Sequence, residues 1–208
     1  MLEVQHLVKR YGSKTAVEDL TFTIQDTGVY GLLGPNGAGK STTMNIITGY
    51  ISATSGTVLV QGQDIVAQAA AAKRCIGYLP EQPPLYPDMT VEEYLRFAAE
   101  LKGVRPKTAR CEAVQAVCDR VGLQGTGRRL IANLSKGYRQ RVGIAAALLG
   151  EPKIIILDEP TVGLDPAQVL EVRSLIRELG KTHTVILSSH ILSEVQSICD
   201  DVLILAHG

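Results

Sequence analysis

The spacing of apolar positions changes twice along the chain. Residues 2–9, 20–24 and 29–33 are short β-rich runs separated by turns, and the last is apolar enough for a strand buried on both faces. A glycine-rich turn follows at once. Residues 41–48, with Met44, Ile46 and Ile47 and a closing Gly49, read as a short helix. Residues 57–60 read as a strand turned by Gln61-Gly62-Gln63, and Ile76–Leu79 as another ended by Pro80. From residue 90 to 123 the interval lengthens: Val91, Tyr94, Leu95 and Ala98, then Ala113, Val114, Val117 and Val121, recur at helical spacing with no strand signal. Residues 83–149 are therefore expected to form a helical insert. Strand patterns return at Ile154–Leu157, 184–187 and 202–205, with helices at 166–179 and 191–198 between them.

Such alternation predicts an α/β fold with an open, largely parallel sheet, helices on both faces, and ligand sites at the carboxyl ends of the strands. The chain of 208 residues fits one domain spanning 1–208, with a core formed by 1–82 and 150–208 around the insert. Lys plus Arg and Asp plus Glu both number 21, so no surplus of positive charge exists to hold a nucleic acid or an acidic lipid surface. Residues 142–149 form the longest apolar run, far short of a bilayer span, and the N-terminus lacks the form of a secretion signal. The expected compartment is the cytosol, without direct membrane insertion. Cys75, Cys111, Cys118 and Cys199 contain no Cys-x-x-Cys pair and are expected to be reduced, mostly buried small hydrophobes.

Gly34-Pro35-Asn36-Gly37-Ala38-Gly39-Lys40-Ser41 fits G-x-x-x-x-G-K-[ST] in full, between an apolar strand and a helix. In that context glycines let successive N–H groups turn inward onto phosphate oxygens, and the helix that continues through Thr42 adds its unpaired donors and positive dipole end. Lys40 is expected to reach the β- and γ-phosphates of ATP, and Ser41 to ligate Mg²⁺. The second half of such a site is an acidic residue ending a buried strand, which Asp158 and Glu159 supply after Ile154–Leu157. Asp158 would hold a magnesium-bound water and Glu159 would polarise the water attacking the γ-phosphate. Taken alone, Asp-Glu-Pro reads equally as a solvated turn.

At Leu134-Ser135-Lys136-Gly137-Tyr138-Arg139-Gln140-Arg141, upstream of Asp158, the chain closely resembles the signature of ABC-type ATPases, usually written Leu-Ser-Gly-Gly-Gln. The resemblance runs through nearly the whole chain. It makes Tyr11 the adenine-stacking aromatic, Gln82 the glutamine that senses Mg²⁺ and water, Gly163-Leu164-Asp165 the D-loop, and His190 the switch histidine. The fold it implies is a P-loop NTPase of ABC type: a mostly parallel core, an N-terminal antiparallel β subdomain and an inserted helical subdomain. Read without it, Tyr11 is ordinary packing, His190 a helix cap and Gln82 a loop residue. Position favours the functional role for both Tyr11 and His190, the latter directly following a strand at the edge where a γ-phosphate would lie.

Ser135 before an apolar helix is an N-cap and Gly137 lets backbone approach an anion, so this helix start is itself phosphate-binding. In the resembled family two copies pair head to tail, each signature closing over the partner's ATP. Lys136 and Tyr138 depart from the usual glycine and glutamine, a variant similar to that of bacterial ABC-2-type exporter ATPases. The resemblance therefore implies an ATPase, peripheral on the cytoplasmic face of the cell membrane, that energises a separate permease as a homodimer. A soluble ABC ATPase acting on ribosomes or DNA is the alternative, disfavoured by balanced charge and by a single cassette with no long coiled-coil insert. A GTPase is disfavoured because Asn-Lys-x-Asp does not occur. The permease is expected in a groove at Pro83, Leu85, Tyr86 and Met89, where prolines forbid a helix; the competing reading is that these side chains pack under the insert. The chain stops at His207-Gly208, just after a strand, where ATPases of this subgroup commonly continue, which implies a truncated C-terminus.

Overall fold

In the computed structural model, which describes residues 1–206, the strands run in chain order β1 (Leu2–Tyr11), β2 (Lys14–Ile24), β3 (Gly28–Leu33), β4 (Ser55–Val60), β5 (Gln63–Asp64), β6 (Ile76–Leu79), β7 (Ile154–Leu157), β8 (Thr184–Ser189) and β9 (Asp201–Ile204). The helices are α1 (Lys40–Ile47), α2 (Ala69–Arg74), α3 (Val91–Leu101), α4 (Lys107–Arg120), α5 (Lys136–Leu148), α6 (Pro166–Gly180) and α7 (Leu192–Ile198), with a 3₁₀ turn at Ile131–Asn133. His207 and Gly208, where the sequence ends, lie outside the described residues.

Two sheets share this strand content. One is antiparallel, in the order β2-β1-β4-β5, with Leu2 opposite both Ile24 and Val60. The other is parallel, in the order β6-β7-β8-β3-β9. The fold is thus α/β, as the alternation of elements predicted. Both faces of the parallel sheet are covered, which explains why the central strand β7 is apolar at every position. On β7, Ile155 and Leu157 face a core shared with α3–α6, while Ile154 and Ile156 face a second core shared with α1 and the antiparallel sheet. β8 alternates in the same sense, Val185 and Leu187 one way and Ile186 the other. Truncating Ile155 to Ala removes three buried carbons from the more helical core. The expected loss is about 3 kcal/mol of unfolding free energy, to be read from the midpoint of chemical denaturation.

The helical spacing between residues 90 and 123 resolves into α3 and α4. Thr90 opens α3 with a capping box: its Oγ1 accepts from Glu93 N at 3.3 Å while a Glu93 carboxylate oxygen accepts from Thr90 N at 2.8 Å. Val91, Tyr94, Leu95 and Ala99 form its buried face. Two expectations need correction. The last strand begins one residue earlier than its apolar run and leaves out Leu205, whose N–H instead donates to Leu33 at 2.8 Å. Among the cysteines only Cys118 is buried; Cys75, Cys111 and Cys199 are half-buried, because each sits where an element meets solvent. Burial, reinforced by Asp200, still pushes the Cys199 thiol up to about 12, so it stays protonated at neutral pH. No helix among the described residues is long and apolar enough to cross a membrane.

Candidate functional site

β7, β8 and β3 are neighbours in the parallel sheet, and the carboxyl end of each delivers one part of the site. β3 runs into the glycine-rich loop and α1. Gly39, the residue before α1, has φ +95°, and a Cβ there would lie 2.5 Å from the carbonyl oxygen of Ala16 on β2, so only glycine turns this corner. Lys40 arches back over the loop, donating from Nζ to Gly34 O at 2.7 Å and Pro35 O at 3.2 Å. The Ala38 N–H donates to Pro35 O at 3.2 Å and closes the same turn. Lys40 is only 6% exposed, and among the described residues no carboxylate pairs with it. A buried ammonium held only by carbonyls is stabilised by an external anion.

β7 delivers the two carboxylates. Asp158 is buried, and its Oδ1 accepts from Ser188 Oγ at 2.5 Å and lies 3.5 Å from Ser41 Oγ. One carboxylate and one hydroxyl converging at the helix start form an oxygen-only donor set. That suits Mg²⁺, which is held by one or two protein oxygens plus phosphate and water rather than by a full protein cage. The described residues contain no group of three or more His, Cys, Asp or Glu that could hold a metal ion, so such an ion would depend on the nucleotide's own oxygens. Glu159 sits at φ +48°, a left-handed conformation that costs a non-glycine residue about 1 kcal/mol and must be held by its surroundings. Its N–H donates to Ser188 Oγ at 2.9 Å, so a single hydroxyl from β8 fixes both acidic residues. Ser188 was not singled out in the sequence, although its place two residues before His190 at a strand end was the available signal.

β8 delivers His190. Its Nδ1 lies 3.0 Å from each carboxylate oxygen of Glu159. Glu159 and His190 line one cavity of about 490 Å³ with Asn36, Gly37, Lys40 and Ser41, and Thr42 and Tyr11 lie on its wall. Tyr11 is half exposed, with Lys9 Nζ over one face of its ring at 5.0 Å from the centre. Lys14, Ala16 and Glu81 also line this cavity and went unnoticed, since nothing in their local sequence marks them.

Three predicted positions stand elsewhere. Gln82 is exposed and lines a neighbouring cleft of about 390 Å³ with Lys136 and Gln140, not the cavity that contains Ser41. Ser135 is the N-cap of α5, accepting from Tyr138 N at 3.3 Å, and with Gly137 it lies outside the cavity. The close approach allowed by Gly137 is taken by the amide of Gln168 on α6, only 2.6 Å from where a Cβ would be. Gln140 is buried and donates to Pro160 O at 2.9 Å, tying α5 to the loop that follows Glu159. That contact was not foreseen from the sequence.

Residues 17–162 match a family model described as ABC transporter. The whole chain aligns at 39% identity with the uncharacterized ABC transporter ATP-binding protein YxlF of Bacillus subtilis, covering 68% of that protein. It aligns equally well, at 39%, with the bacitracin transport ATP-binding protein BcrA of Bacillus licheniformis, covering 67% of it. Among solved structures, an ATP-binding subunit of an ABC transporter superposes with a TM-score of 0.88 at 33% identity, over the whole of this chain and 87% of the other. A bacterial ABC transporter cassette solved as a dimer superposes at 0.89 and 25% identity, over the whole of this chain and 95% of the other.

Proposed function

Since the chain belongs to the ABC transporter family, as an ATP-binding cassette with ATPase activity, we propose that it energises a separate membrane permease of the exporter type through ATP-dependent head-to-tail pairing with a second copy. The observation that carries this reading is the division of the motifs. Lys40, Ser41, Glu159 and His190 meet in one cavity, with Asp158 buried beside it, while Ser135 and Gly137 are not among the residues that line it. This separation supports a signature that serves a nucleotide bound to another copy. The cassette solved as a dimer among the structural relatives supports pairing of two copies.

In this reading Tyr11 stacks on adenine, and the loop amides with Lys40 neutralise the β- and γ-phosphates. Ser41 and Asp158 would hold Mg²⁺, which when bound supplies charge compensation across the phosphate oxygens. Gln82 would join them only after its segment moves toward the loop. The Glu159 carboxylate takes the proton of the attacking water and holds the His190 ring through Nδ1–H; only with both ring nitrogens protonated does His190 also donate its other N–H to the γ-phosphate. Hydrolysis then removes the charge on which both signatures close.

Of the expected permease groove, Leu85 and Met89 are partly buried against the helical core, and Pro83 and Leu85 also line the cleft of about 390 Å³. Tyr86 is 49% exposed, its ring 5.9 Å edge-on to Phe97 and 6.2 Å from Tyr94. Phe97 and Leu101, one turn apart on α3 and 39% and 72% exposed, extend an apolar face from Tyr86 that would receive a permease helix. Tyr86→Asp combined with Leu101→Glu is expected to cut co-purification with the permease by more than about tenfold, since hot-spot losses reach 2 kcal/mol or more. Melting temperature and basal ATPase should stay at wild-type levels. Undiminished association would remove this face from consideration.

A further inference from the structure

Apart from Asp158, the buried acidic residue among the described residues is Glu194, on α7, which no motif reading assigns. Its carboxylate collects donors from three other elements. Thr161 Oγ1 lies 3.0 Å from both oxygens, Ser189 Oγ donates to Oε2 at 2.9 Å, and the Arg173 guanidinium on α6 lies 3.4 Å from Oε1. Thr161 is two residues beyond Glu159, and Ser189 is the residue before His190. Ser189 Oγ also accepts from the Ile191 N–H at 3.0 Å, which fixes the backbone on the far side of His190. The clamp itself is anchored, because the adjacent Val195 packs, fully buried, against Gly31 of β3, the strand that leads into the phosphate loop.

We propose that Glu194 is a positioning residue for ATP hydrolysis: by accepting from Thr161 and Ser189 together it sets the separation of Glu159 and His190. The physical basis is that Glu159, in a strained left-handed conformation, and the exposed His190 both stand just past strand ends, with no other hydrogen-bonding bridge between the Thr161 and Ser189 side chains among the described residues. Fixing donor and base to fractions of an ångström is where a buried carboxylate contributes, because an error of about 1 Å costs on the order of a hundredfold in rate. This proposal rests on the hydrolytic roles given above to Glu159 and His190.

The test uses the full-length protein. Glu194→Gln keeps the side-chain shape but loses the symmetric acceptor, and Thr161→Val removes one donor without changing volume. Each is expected to lower kcat about tenfold or more while KM for ATP and the affinity for a non-hydrolysable ATP analogue stay within about twofold. Restoring the carboxylate as Glu194→Asp should recover part of the loss. Active-site titration with the analogue corrects for any unfolded fraction. In a His190→Ala background, Glu194→Gln should have little further effect, because the pair it positions is already broken, whereas simple destabilisation would add in full. Additive losses, or unchanged kcat in Glu194→Gln and Thr161→Val, would overturn the proposal. Unchanged turnover in Glu159→Gln or His190→Ala would instead overturn the hydrolytic reading beneath it.

Discussion

Replacing Glu159 by glutamine is expected to lower ATP turnover by about a hundredfold or more while leaving ATP binding in place. The amide keeps the size of the carboxylate and can still meet His190, 3.0 Å away, but it cannot take a proton from water. Nothing in the phosphate cradle changes: Lys40 remains held by Gly34 and Pro35, and Asp158 by Ser188. Nucleotide should therefore stay bound and uncleaved, and the paired state should accumulate. Size-exclusion chromatography with and without ATP reads that accumulation, and phosphate release reads turnover. A variant that stays monomeric in ATP yet no longer hydrolyses would retain the chemistry and reject pairing through the signature; retained hydrolysis would remove Glu159 from the catalytic role.

Lys40→Ala carries the second large effect. Loss of an ammonium that would otherwise be buried against phosphate should abolish hydrolysis and weaken ATP binding by about thirtyfold or more, the equivalent of roughly 2 kcal/mol. The apo protein should behave differently. Its Lys40 is 6% exposed without a carboxylate partner, so removing it relieves an uncompensated buried charge while forfeiting two hydrogen bonds to carbonyls. These changes oppose each other, and the melting temperature without nucleotide should move little. Calorimetric titration with ATP alongside thermal melts in its presence and absence separates the two outcomes: equal ATP affinity would show that the loop does not bind through Lys40, and stabilisation by ATP should shrink in the variant.

The sequence by itself determined what depends on local pattern and on chemistry carried by contiguous residues. The unbroken apolar run at Ile154–Leu157 could only be a strand covered on both faces, and it is. The loop at residues 34–41 declared its own function because glycine spacing, lysine and serine act within a single turn. The helical spacing of Val91, Tyr94 and Leu95 likewise marked the buried face of α3. Tertiary structure decided the rest. Which strands lie side by side is not written in any local period, and it is the neighbouring of β3, β7 and β8 that brings Ser41 to Asp158 and His190 to Glu159. Ser188 and Glu194 look like ordinary polar residues of a strand and a helix until the fold buries them against charged partners. Leu85 and Met89, apolar like Tyr86, pack partly against the helical core while Tyr86 stands half exposed. Hydrogen bonds and burial between segments far apart in sequence depend on three-dimensional juxtaposition, whereas helix and strand periods depend only on which neighbours along the chain must face the core.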